Sequence, residues 1–218
     1  MKLKQTALCL ALALALLLAL AAPAAAVDAA RDYSREEQMA YALKALGLFQ
    51  GYGPTALGLE ETPTRIQALV MMIRLMGLED QALAFAGEAH FDDVPADSWA
   101  APYVGYAYEA GMTKGQSENW FGGDAPADAR TYLTFVLRAL GYQEGEGGDF
   151  LWSSPIGLAQ QLGIAPDYLR FSDFRRADVV TVSYAALGAK LNRSDTSDDH
   201  QLPQRKADEQ HPVHHHHQ

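Results

Sequence analysis

The sequence predicts a mainly α fold, built from three tandem helix-loop-helix repeats packed against one another. Three observations carry this. Gly77, Gly141 and Gly188 each close an apolar stretch, and twelve residues before each lies the start of a helix: Arg65, Ala129 and Arg176. An upstream helix also stops at a glycine in every copy, at Gly47, Gly111 and Gly163. The gap from that glycine to the second helix start is 18, 18 and 13 residues, so copies one and two keep a register of 64 residues and copy three has a loop shorter by five. A unit of this size cannot bury its apolar face alone, so the copies must share a core.

The predicted organisation is a leader at 1–26, repeats at 33–80, 90–142 and 149–191, and a disordered polar tail at 192–218. Lys2 and Lys4 precede an uncharged Ala/Leu run from Ala7 to Ala22, and Ala24-Ala25-Ala26 offers a small-residue cleavage site. This is the pattern of a secretory signal peptide, with no membrane span expected after its removal. Cys9, the one cysteine, lies in that leader. The mature chain would then have no disulfide, thiolate metal site or cysteine nucleophile. Without Lys2 and Lys4 it carries 15 Lys+Arg against 27 Asp+Glu, a net charge of −12. Such a charge argues against nucleic acid or an anionic membrane as partner.

In copy one, Ser34-Arg35-Glu36-Glu37 fits a capping box that opens a helix through Met39, Leu43 and Leu46. Thr64-Arg65-Ile66-Gln67 fits a second box, after which Ile66, Leu69, Val70, Ile73 and Met76 recur at helical spacing. In copy two, Phe91 to Val94 is expected to be extended, Pro95 to Ser98 to turn, and Tyr103 to Ala110 to be helical. Asp128 can cap the next helix, whose apolar face includes Leu133, Phe135, Val136 and Leu140. In copy three, Ser154 is the expected cap and Pro155 the first helical residue. The helix from Arg176 to Leu187 contains Val179-Val180-Thr181-Val182, poor in intrinsic helicity, and rests on the repeat register. The segment Gln143 to Gly148, QEGEGG, reads as a flexible hinge. After Leu191 apolar residues almost vanish, and the tail ends in His211 and His214 to His217.

FDDVPADSWAAPYVGYAYEAGMTKG followed by WFGGDAPADARTYLTFVLRALGY resembles the S-layer homology domain. That family's pattern is F-x-D-V-x-x-x-W-A, a helix ending G-φ-x-x-G, a loop, then a T-R-A-E-like box opening a helix that ends R-A-L-G. Phe91, Asp93, Val94, Trp99 and Ala100 carry the first part, with one extra residue before the tryptophan; Gly111 and Gly115 carry the middle. The resemblance implies a pseudo-threefold bundle with projecting lobes and a non-enzymatic anchor for exported bacterial proteins at the cell wall and cell surface. It also implies that a secondary cell-wall polysaccharide, often bearing pyruvate ketals, lies in grooves between repeats, with the arginine of the box as a main contact. Arginine's planar fork can grip a carboxylate in two places, and free backbone N–H groups at a helix start would add to the attraction.

The candidate ligand-binding residues are Arg65, Thr64, Gln67, Arg176, Asp178, Arg130, Asp93, Trp99 and Trp120. Only copy one keeps the box nearly intact. Copy two has Asp128-Ala129-Arg130-Thr131, its arginine turned by roughly 100° around the helix. Copy three has Arg175-Arg176-Ala177-Asp178, without the capping threonine. One or two competent grooves are therefore expected, with Arg65 first, on an exposed turn, and Arg176 next. Asp93 is a turn or cap residue by its position. The resemblance makes Trp99 a platform for a sugar, but its size, like that of Trp152, places it in the core; Trp120, in a polar loop, is the expected exposed aromatic.

Asp92, Asp93, Asp97 and His90 match no rigid metal motif, so no metal or cofactor is expected. His90 is the one histidine of the globular part, and no nucleophile elbow or phosphate loop is present, so no catalytic residue is assigned. The partners expected are wall polysaccharide and, as an alternative, other surface-layer proteins contacted in a structural or assembly role. A truncated anchor of a lost enzyme or adhesin is a further alternative.

Overall fold

A computed structural model describes residues 31–196, with side chains to 189. The expected leader, most of the polar tail and the histidine tract lie outside the described residues. The described fold is mainly helical: α1 (Ser34–Ala45), α2 (Arg65–Leu75), α3 (Glu79–Leu83), α4 (Ala101–Glu109), α5 (Ala129–Ala139), α6 (Pro155–Gln161) and α7 (Arg176–Thr196). Extended pairing among the described residues is limited to isolated bridges, one of which joins Thr64 to Pro126. No described helix is long and apolar enough to cross a membrane.

The three second helices, α2, α5 and α7, begin at Arg65, Ala129 and Arg176 as the register requires. Each touches the other two. Their buried residues explain why. In α2 every residue from Ala68 to Ile73 is buried, and in α5 every residue from Tyr132 to Leu137. A helix apolar on all sides belongs in a core. Val179, Val180, Thr181 and Val182 of α7 are buried too. Packing thus overrides their low propensity for helix. Tyr132 is fully enclosed, and its hydroxyl lies 2.7 Å from Ser183 Oγ, tying α5 to α7.

The first helices pair in cyclic order. The first helix of copy two, α4, packs on α2 of copy one; α6 of copy three packs on α5 of copy two; α1 of copy one packs on α7 of copy three. The first element thereby meets the last.

Five of the six punctuating glycines behave as expected. Gly47, Gly77, Gly111, Gly141 and Gly163 all take positive φ, from 68° to 87°. In each case the next N–H reaches back to a carbonyl of the last helical turn, as Leu48 does to Leu43 (2.9 Å) and Tyr142 to Leu137 (3.0 Å). This is the Schellman closure, which glycine permits without a Cβ penalty. Gly188 departs: α7 runs through it to Thr196, so part of the stretch expected as tail is helical. The return after the other second helices shows the reason. After Gly77, Arg74 pairs with Glu79 at 2.8 Å; after Gly141, Arg138 pairs with Glu144. The equivalent of those arginines in copy three is Ala185, which cannot make that ion pair.

Other local expectations are corrected. The N-cap position of α1 is Tyr33, whose side chain does not cap the helix, and Ser34 is already helical. Ser154 caps α6 by position, without a side-chain bond. Phe91 to Val94 is a turn rather than extended, closed by Val94 N–H to Phe91 O at 3.1 Å. The stretch 143–148 is no loose hinge. Gln143 N–H bonds Asp149 Oδ2 at 2.7 Å, Asp149 N–H returns to Gln143 O at 2.7 Å, and Glu144 holds Arg138. The short helix α3 was not anticipated.

Candidate functional site

The junction between copies one and two starts at the N-terminus of α2. Thr64 and Gln67 form the reciprocal capping box: Gln67 N–H bonds Thr64 Oγ1 at 3.3 Å and Thr64 N–H bonds Gln67 Oε1 at 3.0 Å. The next donors cross to the loop of copy two, Arg65 N–H to Ala125 O (2.8 Å) and Ile66 N–H to Gly123 O (3.0 Å). All of these backbone donors have acceptors, contrary to the expectation of free N–H groups for an anion.

Arg65 is not exposed as expected. It retains 8 % of its surface, with its guanidinium carbon 5.1 Å from the centre of the Phe121 ring and 5.0 Å from that of Phe135. Its guanidinium makes no hydrogen bond to any described residue, and Nε is buried without a partner. Any anion meeting this cation must do so at its two terminal nitrogens. Burial, with Arg138 next, lowers its pKa to about 10, against the pull of Asp128 and Asp93. Two aromatic faces compensate part of the lost hydration.

Asp93 sets up the neighbouring wall. Its carboxylate accepts the N–H of Phe121 at 2.7 Å and of Gly122 at 2.8 Å, fixing the loop that lays Phe121 on Arg65. Both carboxylate oxygens are thus engaged by the loop backbone. Beside it opens a groove of ≈ 660 Å³ whose lining includes Ile66, Trp99, Gln116, Trp120 and Phe121. Arg65 is not part of the wall; Phe121 both lines the groove and covers the guanidinium. Trp120 is exposed as expected, whereas Trp99 and Trp152, expected in the core, are exposed as well, Trp99 by 63 %. Trp99 lies in the turn just before α4, whose second residue is Pro102, and meets the Tyr103 ring edge-on at 6.2 Å.

Arg176 occupies the equivalent place between copies three and one, and is 4 % exposed. Its Nη2 donates to Gln50 O (3.1 Å) and Leu57 O (3.4 Å), and its guanidinium lies over Phe49 and Tyr52. Asp178, in the first turn of α7, is buried and reaches back to accept Arg175 N–H at 2.8 Å. At the junction of copies two and three, Arg130 stacks over Trp152 at 5.1 Å, with Nε buried and unpartnered. The structure therefore brings Arg65, Thr64, Gln67, Asp93, Trp99 and Trp120 to one junction and sends Arg176 with Asp178, and Arg130, to two others.

Sequence reasoning missed Phe121, Phe135, Gln116 and Tyr52. The 64-residue register, extended from helices to loops, pairs Tyr52 with Gln116 and Leu57 with Phe121 and so points to them.

Residues 90–128 match the family model of the S-layer homology domain, a span that includes Asp93, Trp99, Trp120 and Phe121. Over this segment the chain is similar to the S-layer homology domain. A cell surface protein of Thermoanaerobacter kivui is 31% identical over 126 residues, 56% of this chain and 16% of that protein. A middle cell wall protein of Brevibacillus brevis and a surface layer protein of Brevibacillus choshinensis are each 33% identical over 133 residues, 59% of this chain and 12% of theirs. The chain thus spans less than a fifth of the length of these relatives. The alignments are longer than the matched S-layer homology segment, so the similarity continues beyond 90–128.

Proposed function

We propose that this chain is a non-enzymatic anchor that holds to the bacterial cell wall through a wall polysaccharide seated at the junction of copies one and two. The observation that carries the reading is Arg65: a guanidinium lying against two phenyl rings, with no acceptor among the described residues, beside a groove flanked by two exposed tryptophans. A buried cation left without acceptors favours an anionic ligand. Exposed indoles suit the flat faces of sugar rings. A saccharide bearing carboxylates, such as a pyruvate ketal, combines both features. The relatives' names, a cell surface, a cell wall and a surface layer protein, agree with this location. They also favour a second reading, in which the repeats contact other proteins of a surface layer.

Co-sedimentation of the chain from Val27 with purified cell-wall sacculi tests both. Retention is expected on intact sacculi and its loss after mild acid removes the secondary polysaccharide. Arg65→Met and Trp120→Ala should each abolish most retention, and Arg130→Ala less. Retention that survives stripping, or that Arg65→Met leaves unchanged, would overturn the polysaccharide reading and direct the search to protein partners.

A further inference from the structure

The loops of copies one and two use equivalent carbonyls to clasp the second helix of another copy. Ala125 O and Gly123 O accept the first two N–H groups of α2; sixty-four residues earlier, Glu61 O (2.8 Å) and Leu59 O (3.0 Å) accept the first two of α7. The same shift maps the open groove of the first junction onto the junction of copies three and one. Trp99 becomes Arg35, Trp120 becomes Ala56 and Gln116 becomes Tyr52. Both tryptophans are absent there, and a small polar wall residue is replaced by a tyrosine.

Tyr52 lies across the corresponding place, with more than half of its own surface exposed. Its ring lies 4.9 Å over the Arg176 guanidinium. Its hydroxyl donates to Glu61 Oε2 at 2.7 Å, so the residue that clasps the start of α7 also holds the ring. From the other side Gly58 presses on it: a Cβ at Gly58 would come within 2.5 Å of the Tyr52 ring, just as one at Gly122 would come within 2.3 Å of Gln116. Arg176 itself donates to two carbonyl oxygens of this loop, Gln50 and Leu57, where Arg65 has no acceptor.

We propose that the third junction is an anion site occupied by the chain itself. Two loop carbonyls stand in for an anion's oxygens and the Tyr52 ring for a stacked sugar. The site is closed to wall ligand while the 50–58 loop is down, and it fastens copy three to copy one. This rests on the reading of the Arg65 junction as the receptive one.

Modification of the full chain with phenylglyoxal, an arginine-selective dicarbonyl, mapped by peptide mass spectrometry, tests it without any glycan. Failure of wall binding and failure of this inference are thereby read separately. In the unaltered protein Arg65 should react several-fold faster than Arg176. Tyr52→Ala removes the ring, and Gly58→Ala displaces it while keeping Tyr52. Each should raise the Arg176 rate about tenfold, the factor that about 1.4 kcal/mol of lost shielding gives, and leave the Arg65 rate unchanged. Tyr52→Phe, which keeps the ring, should leave Arg176 slow. Equal rates at Arg65 and Arg176 in the unaltered protein would overturn the proposal, whatever the variants do. So would an Arg176 rate that neither Tyr52→Ala nor Gly58→Ala changes.

Discussion

Arg65 and Arg176 begin equivalent helices, yet one guanidinium lacks acceptors and the other has two carbonyl oxygens. The lowered pKa of Arg65 means that folding works against its charge at every pH below about 10; the penalty is relieved only as pH rises from there toward the unfolded value. Replacing a buried, unpaired charge by an apolar side chain of similar length is commonly neutral or favourable. Arg65→Met should therefore melt at the same temperature as the unaltered protein or above it, even as wall retention is lost. Arg176→Met removes charged hydrogen bonds and orphans the buried carbonyl of Leu57, which costs about 2–3 kcal/mol and lowers Tm by roughly 5–10 °C. Thermal melts followed by circular dichroism decide this, and equal effects at the two sites would show that their surroundings do not differ in the way described. The arginines and their register were legible in the sequence. Their burial was not, because exposure of a first-turn side chain depends on what another copy lays over it, here Phe121 and Phe135 on Arg65.

At the scale of elements, helix starts and stops were legible because punctuation is local. Thr64, Asp128 and the glycines with positive φ act on their own turns. Gly188 fails as a stop because a glycine permits a left-handed turn without imposing one; the arginine-glutamate ties that follow Gly77 and Gly141 have no counterpart in copy three. The same substitution should therefore change sign with position. Gly141→Ala meets no steric obstacle but must hold an alanine at φ 87°, costing about 1 kcal/mol. Gly188→Ala, inside a helix and likewise unobstructed, should stabilise by about 0.5–1 kcal/mol. Urea titrations at constant m-value distinguish the two. A destabilising Gly188→Ala would mean that α7 ends where the glycine stands. Trp99 and Trp152 were misplaced for a related reason: size favours burial on average, but Pro102 and Pro155, opening α4 and α6, put each indole just ahead of a helix, where little covers it.

Across the whole molecule, the three second helices share one core and each first helix leans on a neighbour's second helix. No copy contains its own packing partner. A peptide of residues 90–142, the copy closest to the family pattern, should show little helix by circular dichroism, whereas residues 27–196 should melt cooperatively. A helical, cooperatively melting peptide would contradict the shared core. That three copies must pack together followed from the sequence; the order in which they close did not, since the pairing of α1 with α7 depends on contacts far apart in the chain.

That pairing has a mechanical consequence. Tension applied to any segment joined after residue 196 enters through α7, which passes it at once to α1, α2 and α5. The groove beside Trp99 and Trp120 lies on copies one and two, to which that load passes through the packed helices. The chain can thus be pulled at one place and grip at another, with a packed core between them to spread the force.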